Sequence, residues 1–216
     1  MNDFREERER AVERLVRAGY IKDRRVIEAL KRVPRHLFVP EKYRKYAYVD
    51  EPLPIGENQT ISAIHMVGIM AELLEVEEGM KILEIGAGSG YHAAVLAELV
   101  GESGIIYSVE RIPKLAEMAR RNLERAGYKN VIVLIGDGSK GLPEKAPFDR
   151  ISVTAAAPEI PRPLVEQLKD GGIMVIPVGR IFQELKVVRK KGDEVTVENW
   201  GPVSFVPLIG EHGFRK

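Results

Sequence analysis

The chain contains no cysteine, which excludes disulfides, a thiol nucleophile and thiolate metal sites. Its four histidines, His36, His65, His92 and His212, show no metal-ligand spacing, so no metal is expected. Excess charge is missing too: 33 basic against 32 acidic residues leave +1. No basic face points to a nucleic-acid partner. No apolar run approaches a membrane span, and Met1 to Arg8 is too polar for a signal peptide. The expectation is a soluble cytoplasmic protein with no membrane partner. Internal repeats and low-complexity segments are absent, and no Asp–His pair stands at triad spacing, which argues against a serine nucleophile. What is present is 216 residues, 44% of them hydrophobic, enough for one domain with a helical appendage. Abundant Glu, Lys and Arg without Cys also suits a hot-growing source.

The most informative stretch is a glycine-rich turn, Glu84-Ile85-Gly86-Ala87-Gly88-Ser89-Gly90-Tyr91. It follows Ile82-Leu83 and precedes the helix-prone His92 to Ala97, so a strand turns sharply into a helix where a ligand can touch backbone. Dinucleotide sites favour G-x-G-x-x-G around a pyrophosphate. Here the glycines fall at 86, 88 and 90, and Glu84 precedes them. A carboxylate there repels a pyrophosphate but accepts a hydrogen bond from an ammonium group. S-adenosylmethionine carries an amino-acid moiety and no phosphate. The next strand, Gly104 to Val109, ends in Glu110-Arg111, and an acid at the tip of the second strand can take both ribose hydroxyls. The pair of features points to a nucleoside cofactor.

Strands are predicted near 81–85, 105–109, 131–135, 149–153 and 172–178, with helices at 90–100, 112–126 and 162–169 between them. This alternation predicts a doubly wound, mostly parallel sheet with helices on both faces. Ile181 to Arg189 and Glu194 to Trp200 read as a hairpin, so at least one antiparallel strand closes the edge. Upstream, 4–18 and a stretch capped by Asp23 read as helices. Residues 34–60 look irregular, a segment that either covers a site or wraps the surface. Helical period returns over 61–75.

Ligands in such sheets lie beyond the carboxyl ends of the strands. Asp137, in Gly136-Asp137-Gly138, either accepts from the adenine amino group or only forms its own turn. The fourth strand ends Val153-Thr154-Ala155-Ala156-Ala157-Pro158. It lacks the Asn-Pro-Pro-Tyr type sequence that grips a base nitrogen, and it offers neither a base nor an acid. Ahead of the 61–75 helix stands Gln59-Thr60-Ile61-Ser62, where Thr60 or Ser62 either caps the helix or serves a site.

With these segments in view, the chain resembles the protein-L-isoaspartate (D-aspartate) O-methyltransferase family over nearly its whole length. The resemblance is carried by Val33-Pro34-Arg35 with Phe38-Val39-Pro40, by Gln59-Thr60-Ile61-Ser62-Ala63 with His65-Met66, and by Leu83 to Tyr91. Gly136-Asp137-Gly138, Asp149 with Thr154-Ala155-Ala156, Gly171-Gly172 with Pro177-Val178-Gly179, and Phe205-Val206-Pro207-Leu208 complete it. Ile64 replaces the proline usual between Ala63 and His65, with no functional group lost. The resemblance implies a seven-stranded methyltransferase fold in one domain over 1–216. Within it, 1–75 would be a helical and cap-loop subregion, 76–180 the cofactor core and 181–216 strands lining a substrate cleft.

It also implies methyl transfer from S-adenosyl-L-methionine, leaving S-adenosyl-L-homocysteine, to the α-carboxylate of L-isoaspartyl residues in damaged proteins and peptides. A monomer is the expectation, though the sequence does not itself fix the oligomeric state. Ser62 matches the family's active-site serine. Thr60 and His65 match pocket positions, joining Glu84, Gly86, Gly88, Gly90, Glu110, Arg111, Asp137 and Gly138 on the cofactor side. Gln59, Thr60, Ile61, Ser62, Val206 and Leu208 fall on the substrate side. The competing classes are a methyltransferase of small molecules or RNA, a nicotinamide dehydrogenase, and a non-catalytic nucleoside-binding module. G-x-G-x-G with Glu84 argues against the dehydrogenase, and no stacking platform near Thr154 favours RNA.

Overall fold

The computed structural model describes residues 4–215. Helices α1 (Phe4–Arg17) and α2 (Arg24–Arg32) open the chain. Asp23 caps α2, its side chain accepting from the Arg25 and Val26 amides. The alternating core then follows as β3 (Lys81–Ile85), α4 (Tyr91–Val100), β4 (Ile105–Glu110), α5 (Pro113–Ala126), β5 (Val131–Ile135), β6 (Phe148–Val153), α6 (Arg162–Gln167) and β7 (Leu168–Val178). The hairpin β8 (Gln183–Lys191) and β9 (Glu194–Val203) ends it. The sheet order is β5-β4-β3-β6-β7-β8-β9. Only β8 runs against its neighbours, as the expected reversed edge requires.

Strand β3 is central and buried on both faces: Ile82, Leu83, Glu84 and Ile85 are all at or below 1% exposure. That explains its near-continuous apolar run. Helices α1, α2, α3 (Ile64–Leu73), α4 and α5 pack over one face, through Val12, Leu30, Val67, Leu96 and Leu115 against Ile82, Ile106 and Val175. The other face is thinner, with Leu164 of α6 and Leu208 of the tail over Leu83, Ile85 and Met174. Both faces are covered, but unequally.

Two expectations are corrected. Residues 34–60 are not structureless: two 3-10 turns, Arg35–Leu37 and Glu41–Tyr46, lead into a small hairpin of β1 (Leu53–Gly56) and β2 (Gln59–Ile61). Glu57 and Asn58 turn it with φ of 51° and 56°. Because Gln59 to Ile61 belong to β2, helix α3 begins later, at Ile64–Leu73, with Ala63 in the cap position and no side-chain cap. Neither Thr60 nor Ser62 caps a helix. Downstream, Asp170-Gly171-Gly172 is an irregularity inside β7, with Gly171 at φ 75°.

The cap segment is fastened by a fully buried guanidinium. Arg35 donates to the carbonyls of Ala47 (2.9 Å), Ser62 (2.8 Å) and Glu51 (3.3 Å), and its Cζ lies 4.9 Å from the Tyr91 ring centroid. Arg35→Met should leave those carbonyls without their donor and lower stability by about 3 kcal/mol, read as a shifted urea midpoint at constant slope. A midpoint within error of the parent would show that the fastening is dispensable.

Candidate active site

The carboxyl ends of the central strands open into one cavity, with about 900 Å³ of space between its lining atoms and the solvent it opens to. The glycine turn forms one wall with Gly86 to Ser89, and the tip of β4 another with Glu110, Arg111 and Ile112. Gly138 sits at the far side, Gln59 to Ser62 close it from the cap, and Val206 to Ile209 close it from the tail. Chain segments more than a hundred residues apart thus meet as the resemblance implied.

The turn needs its glycines for two separate reasons. Gly86 has φ 93°, and a Cβ there would stand 2.4 Å from Thr154 Oγ1. That hydroxyl lies 2.9 Å from the Ile85 carbonyl and 2.7 Å from that of Gly86, and its proton serves the pair. Gly90 does not line the cavity; with φ 90° it starts α4 and packs against Leu123. Gly138 must be small because a Cβ would fall 2.4 Å from Ile85 Cγ2.

The carboxylates divide by environment. Glu110 lines the cavity, and its oxygens accept from the amides of Gly88 (3.0 Å) and Ile112 (2.9 Å). It therefore braces the glycine turn while leaving lone pairs for a ligand. Glu84 does not line the cavity. It is fully buried beneath the turn, in register with Ser108 on β4 and Ser152 on β6. Ser108 donates to its Oε2, and Oε1 is buried without a partner. Burial pushes its pKa up to about 8 despite the Ser108 hydrogen bond, and the nearby Glu110 charge adds to the rise. His92 of α4 completes this polar row with Nε2 3.0 Å from Ser152 Oγ. Burial lowers its pKa to about 4, so the ring is neutral at neutral pH.

Asp137 is withdrawn from the cavity as well. Its Oδ1 accepts from the Ser139 amide (3.0 Å) and hydroxyl (2.6 Å), and Oδ2 from the Glu211 amide (2.9 Å). Burial opposes its ionisation, but these bonds and Lys140 outweigh it and hold the pKa below the ordinary value. In this structure Asp137 ties its own turn to the tail, the turn-forming alternative. His65 faces a neighbouring groove rather than the cavity. Asp50 orients it, Oδ2 standing 2.9 Å from Nδ1 and Oδ1 accepting the His65 amide at 2.9 Å.

That groove runs between Pro52, His65 and Met66 on the cap side and Pro202 to Val206 on the tail. Thr60, Ser62, Thr154 and Val206 border both groove and cavity. Ser62 is half-buried at this junction. Sequence reasoning passed over Ser89, whose hydroxyl is buried at the cavity wall without a partner, and Asp50, whose partner lies 15 residues on. Ser89 stood inside a turn read for its glycines; Asp50 gave no local signal. Among the described residues no group of His, Cys, Asp or Glu is arranged to hold a metal, and no helix is long and apolar enough to cross a membrane.

A seven-stranded sheet with one reversed strand, a glycine turn after its central strand and an acid at the tip of the next define the class of S-adenosylmethionine-dependent methyltransferases. Residues 6–213 match the family model described as Protein-L-isoaspartate(D-aspartate) O-methyltransferase (PCMT), and the chain belongs to that family. It is 61% identical over 208 residues to a protein-L-isoaspartate O-methyltransferase of Methanothrix thermoacetophila, spanning 96% of this chain and 97% of the relative. A solved protein-L-isoaspartate O-methyltransferase superposes with TM-score 0.88 at 34% identity, over 95% of this chain and 67% of its own. A Plasmodium falciparum chain described as a beta-aspartate methyltransferase, in complex with S-adenosyl-L-homocysteine, superposes with TM-score 0.85 at 26% identity, over 94% and 98%.

The buried proton on Glu84 has a measurable consequence. The native state holds it while the unfolded chain releases it from the ordinary value of 4.5 upward. Its contribution to stability is full below that value and is lost as pH rises to about 8. Glu84→Gln should therefore gain on the parent as unfolding is measured at pH 5 and then at pH 8. Parallel profiles would mean that Glu84 does not carry that proton.

Proposed function

We propose that this chain transfers a methyl group from S-adenosyl-L-methionine to the α-carboxylate of L-isoaspartyl residues in damaged proteins and peptides, a step in their repair. The observation that carries the reading is Ser62, at the border of cavity and groove, with no hydrogen bond from its hydroxyl to any described residue. The cavity suits the cofactor: Glu110 offers lone pairs to ribose hydroxyls, and Ser89 Oγ at the wall is a buried polar atom still lacking a partner. When bound, S-adenosylmethionine supplies an electrophilic methyl group on a sulfonium sulfur. The reading is of a cytoplasmic monomer, and the balanced charge fits protein substrates better than nucleic acid or an anionic membrane.

The acceptor is a carboxylate with a pKa near about 4, already ionised at neutral pH, so no general base is required. Accordingly His92 is neutral and turned toward Ser152. Ser62 is free to donate one hydrogen bond, enough to aim one carboxylate oxygen. A neutral hydroxyl holds the acceptor without quenching it as a guanidinium fork would. Alignment then supplies the larger part of the acceleration, for which fixed geometry is worth up to ~7–11 kcal/mol. Backbone of 54–62 and 204–209 is placed to pair with an extended peptide, which keeps side-chain readout shallow.

Paired peptides with Asp or isoAsp at one position, incubated with labelled S-adenosylmethionine, test the reading: base-labile label should enter only the isoAsp member, and equal labelling of both would refute it. Ser62→Ala should lower kcat by roughly ten- to a hundredfold with cofactor Kd within about twofold. Equal losses in both would make Ser62 a cofactor ligand instead. Glu110→Gln should raise the cofactor Kd by about tenfold, the worth of a charge-assisted hydrogen bond, in isothermal titration. An unchanged Kd would remove Glu110 from the ribose site.

A further inference from the structure

Between β7 and β8 the chain presents Ile181 and Phe182, 87% and 89% exposed. No other large apolar side chain among the described residues exceeds 52%. Tight turns are ordinarily tipped with polar residues, and single exposed apolar residues need no account, but two adjacent ones this open do. The turn is not loose. Gly179 donates to the Ala157 carbonyl at 2.9 Å. A Cβ on Gly179 would lie 1.9 Å from the Phe182 carbonyl, so the closed turn demands glycine. The Arg180 guanidinium covers the Phe214 ring at 5.7 Å. Gln183 exchanges two hydrogen bonds with the backbone of Phe205, Nε2 to the carbonyl at 3.0 Å and the amide to Oε1 at 2.6 Å.

These anchors fix where the tip sits. Phe205 lines the acceptor groove. Ala156, beside Ala157, pairs with Val206 and Leu208 of the same wall. The turn is thus one hydrogen-bonded step from the groove, at the carboxyl end of the sheet where the cavity opens, next to the tail-side wall that carries Phe205 and Val206.

We propose that Ile181 and Phe182 form an apolar lip of the acceptor groove, taking an apolar side chain that flanks the isoaspartyl residue in a protein substrate. The proposal rests on the acceptor reading of the groove. Other occupants fit less well. Two side chains cover far less than the ~1,200 Å² buried by a stable interface between copies. An anionic membrane surface calls for cations free around the tip; the nearest, Arg180, is laid over the Phe214 ring, Lys190 is tied to the carbonyls of Val165 and Leu168, and Lys186 and Arg189 are paired with Glu184, Glu75 and Glu198. A groove that reads mainly backbone accepts damage in many sequences. The lip adds a preference for damage in chain segments that have exposed their apolar residues, as locally unfolded proteins do.

The test is a set of isoaspartyl peptides, otherwise polar, with one Phe or one Ser scanned through successive flanking positions. They are assayed by base-labile methyl incorporation with the parent enzyme and with Ile181→Ser/Phe182→Ser. Both side chains are in solvent, so the variant should fold as the parent does, checked by circular dichroism. The parent should favour Phe at one or more positions by about tenfold in kcat/KM, mainly through KM, and the variant should lose that preference while its rate on the all-polar peptide is unchanged. An equal preference in both proteins, or none in the parent, overturns the lip alone. No label in any isoaspartyl peptide overturns the acceptor reading and the lip with it. Self-association in sedimentation, or binding to phosphatidylcholine vesicles, abolished in the variant without any change in flank preference, likewise overturns it.

Discussion

A buried guanidinium bonded to backbone carbonyls holds the site together. Arg35 is wholly buried, and burial pulls its pKa below the ordinary value, yet its hydrogen-bond acceptors are carbonyls of the cap at Ala47, Glu51 and Ser62. A charge taken out of water is tolerated only where its donors are met in a fixed geometry. The planar fork supplies that geometry in reverse: three stretches of chain that share no secondary structure must arrive at set positions around it. Through the Tyr91 ring the same group touches the first residue of α4, directly after the glycine turn. Arg35 therefore joins the segment carrying Ser62 to the segment that shapes the cofactor cavity. A reaction relying on alignment needs such a joint.

The two acids on the cofactor side show how position on a strand decides chemistry. Glu84 lies within β3, covered by α4 and flanked by Ser108 and Ser152, and it keeps its proton. Glu110 ends β4, where two amides meet its oxygens. Burial disfavours the ionised form of Glu84, so that carboxyl is neutral, while Glu110 at the strand tip sets its two oxygens against backbone amides at the cavity wall. The expected ammonium contact at Glu84 would have to come through its open Oε1, from below the glycine turn rather than across the cavity floor.

The parallel core was legible because its causes are local. Apolar runs such as Ile82-Leu83 and Val131 to Ile135, punctuated by Gly86, Gly90 and Gly127, announce strands and helix ends without tertiary help. Glu110 was legible for the same reason, since strand-tip position follows from counting. The cap was not. Thr60 and Ser62 ahead of an apolar period look like helix caps, because Ser and Thr favour that role generally. The hairpin that claims Gln59 to Ile61 depends on Glu57 and Asn58 adopting positive φ and on pairing with Leu53 and Pro54, and no periodicity encodes that. Asp137 was ambiguous because the tail that captures it, at Glu211, is 74 residues away. His65 was sent to the wrong side of Ser62 because its orientation is set by Asp50, in a segment read as structureless.

These placements bear on how a carboxylate is activated here. A site can bind an anion with a fork of strong donors, but those donors lower the energy of the bound nucleophile as much as they secure it. The fork behind Ser62 is turned away: Arg35 is bonded to the Ser62 carbonyl and fully shielded from solvent. What faces the junction is a hydroxyl with no internal partner, flanked by Thr60 and Thr154. In the proposed reaction the cation fixes position through the backbone, and the neutral Ser62 hydroxyl would make the contact. The positive charge behind the serine still favours an anion in front of it, at a distance where it cannot form the short bonds that would blunt attack. Separating the charge that attracts from the group that touches lets a weak nucleophile be both held and reactive.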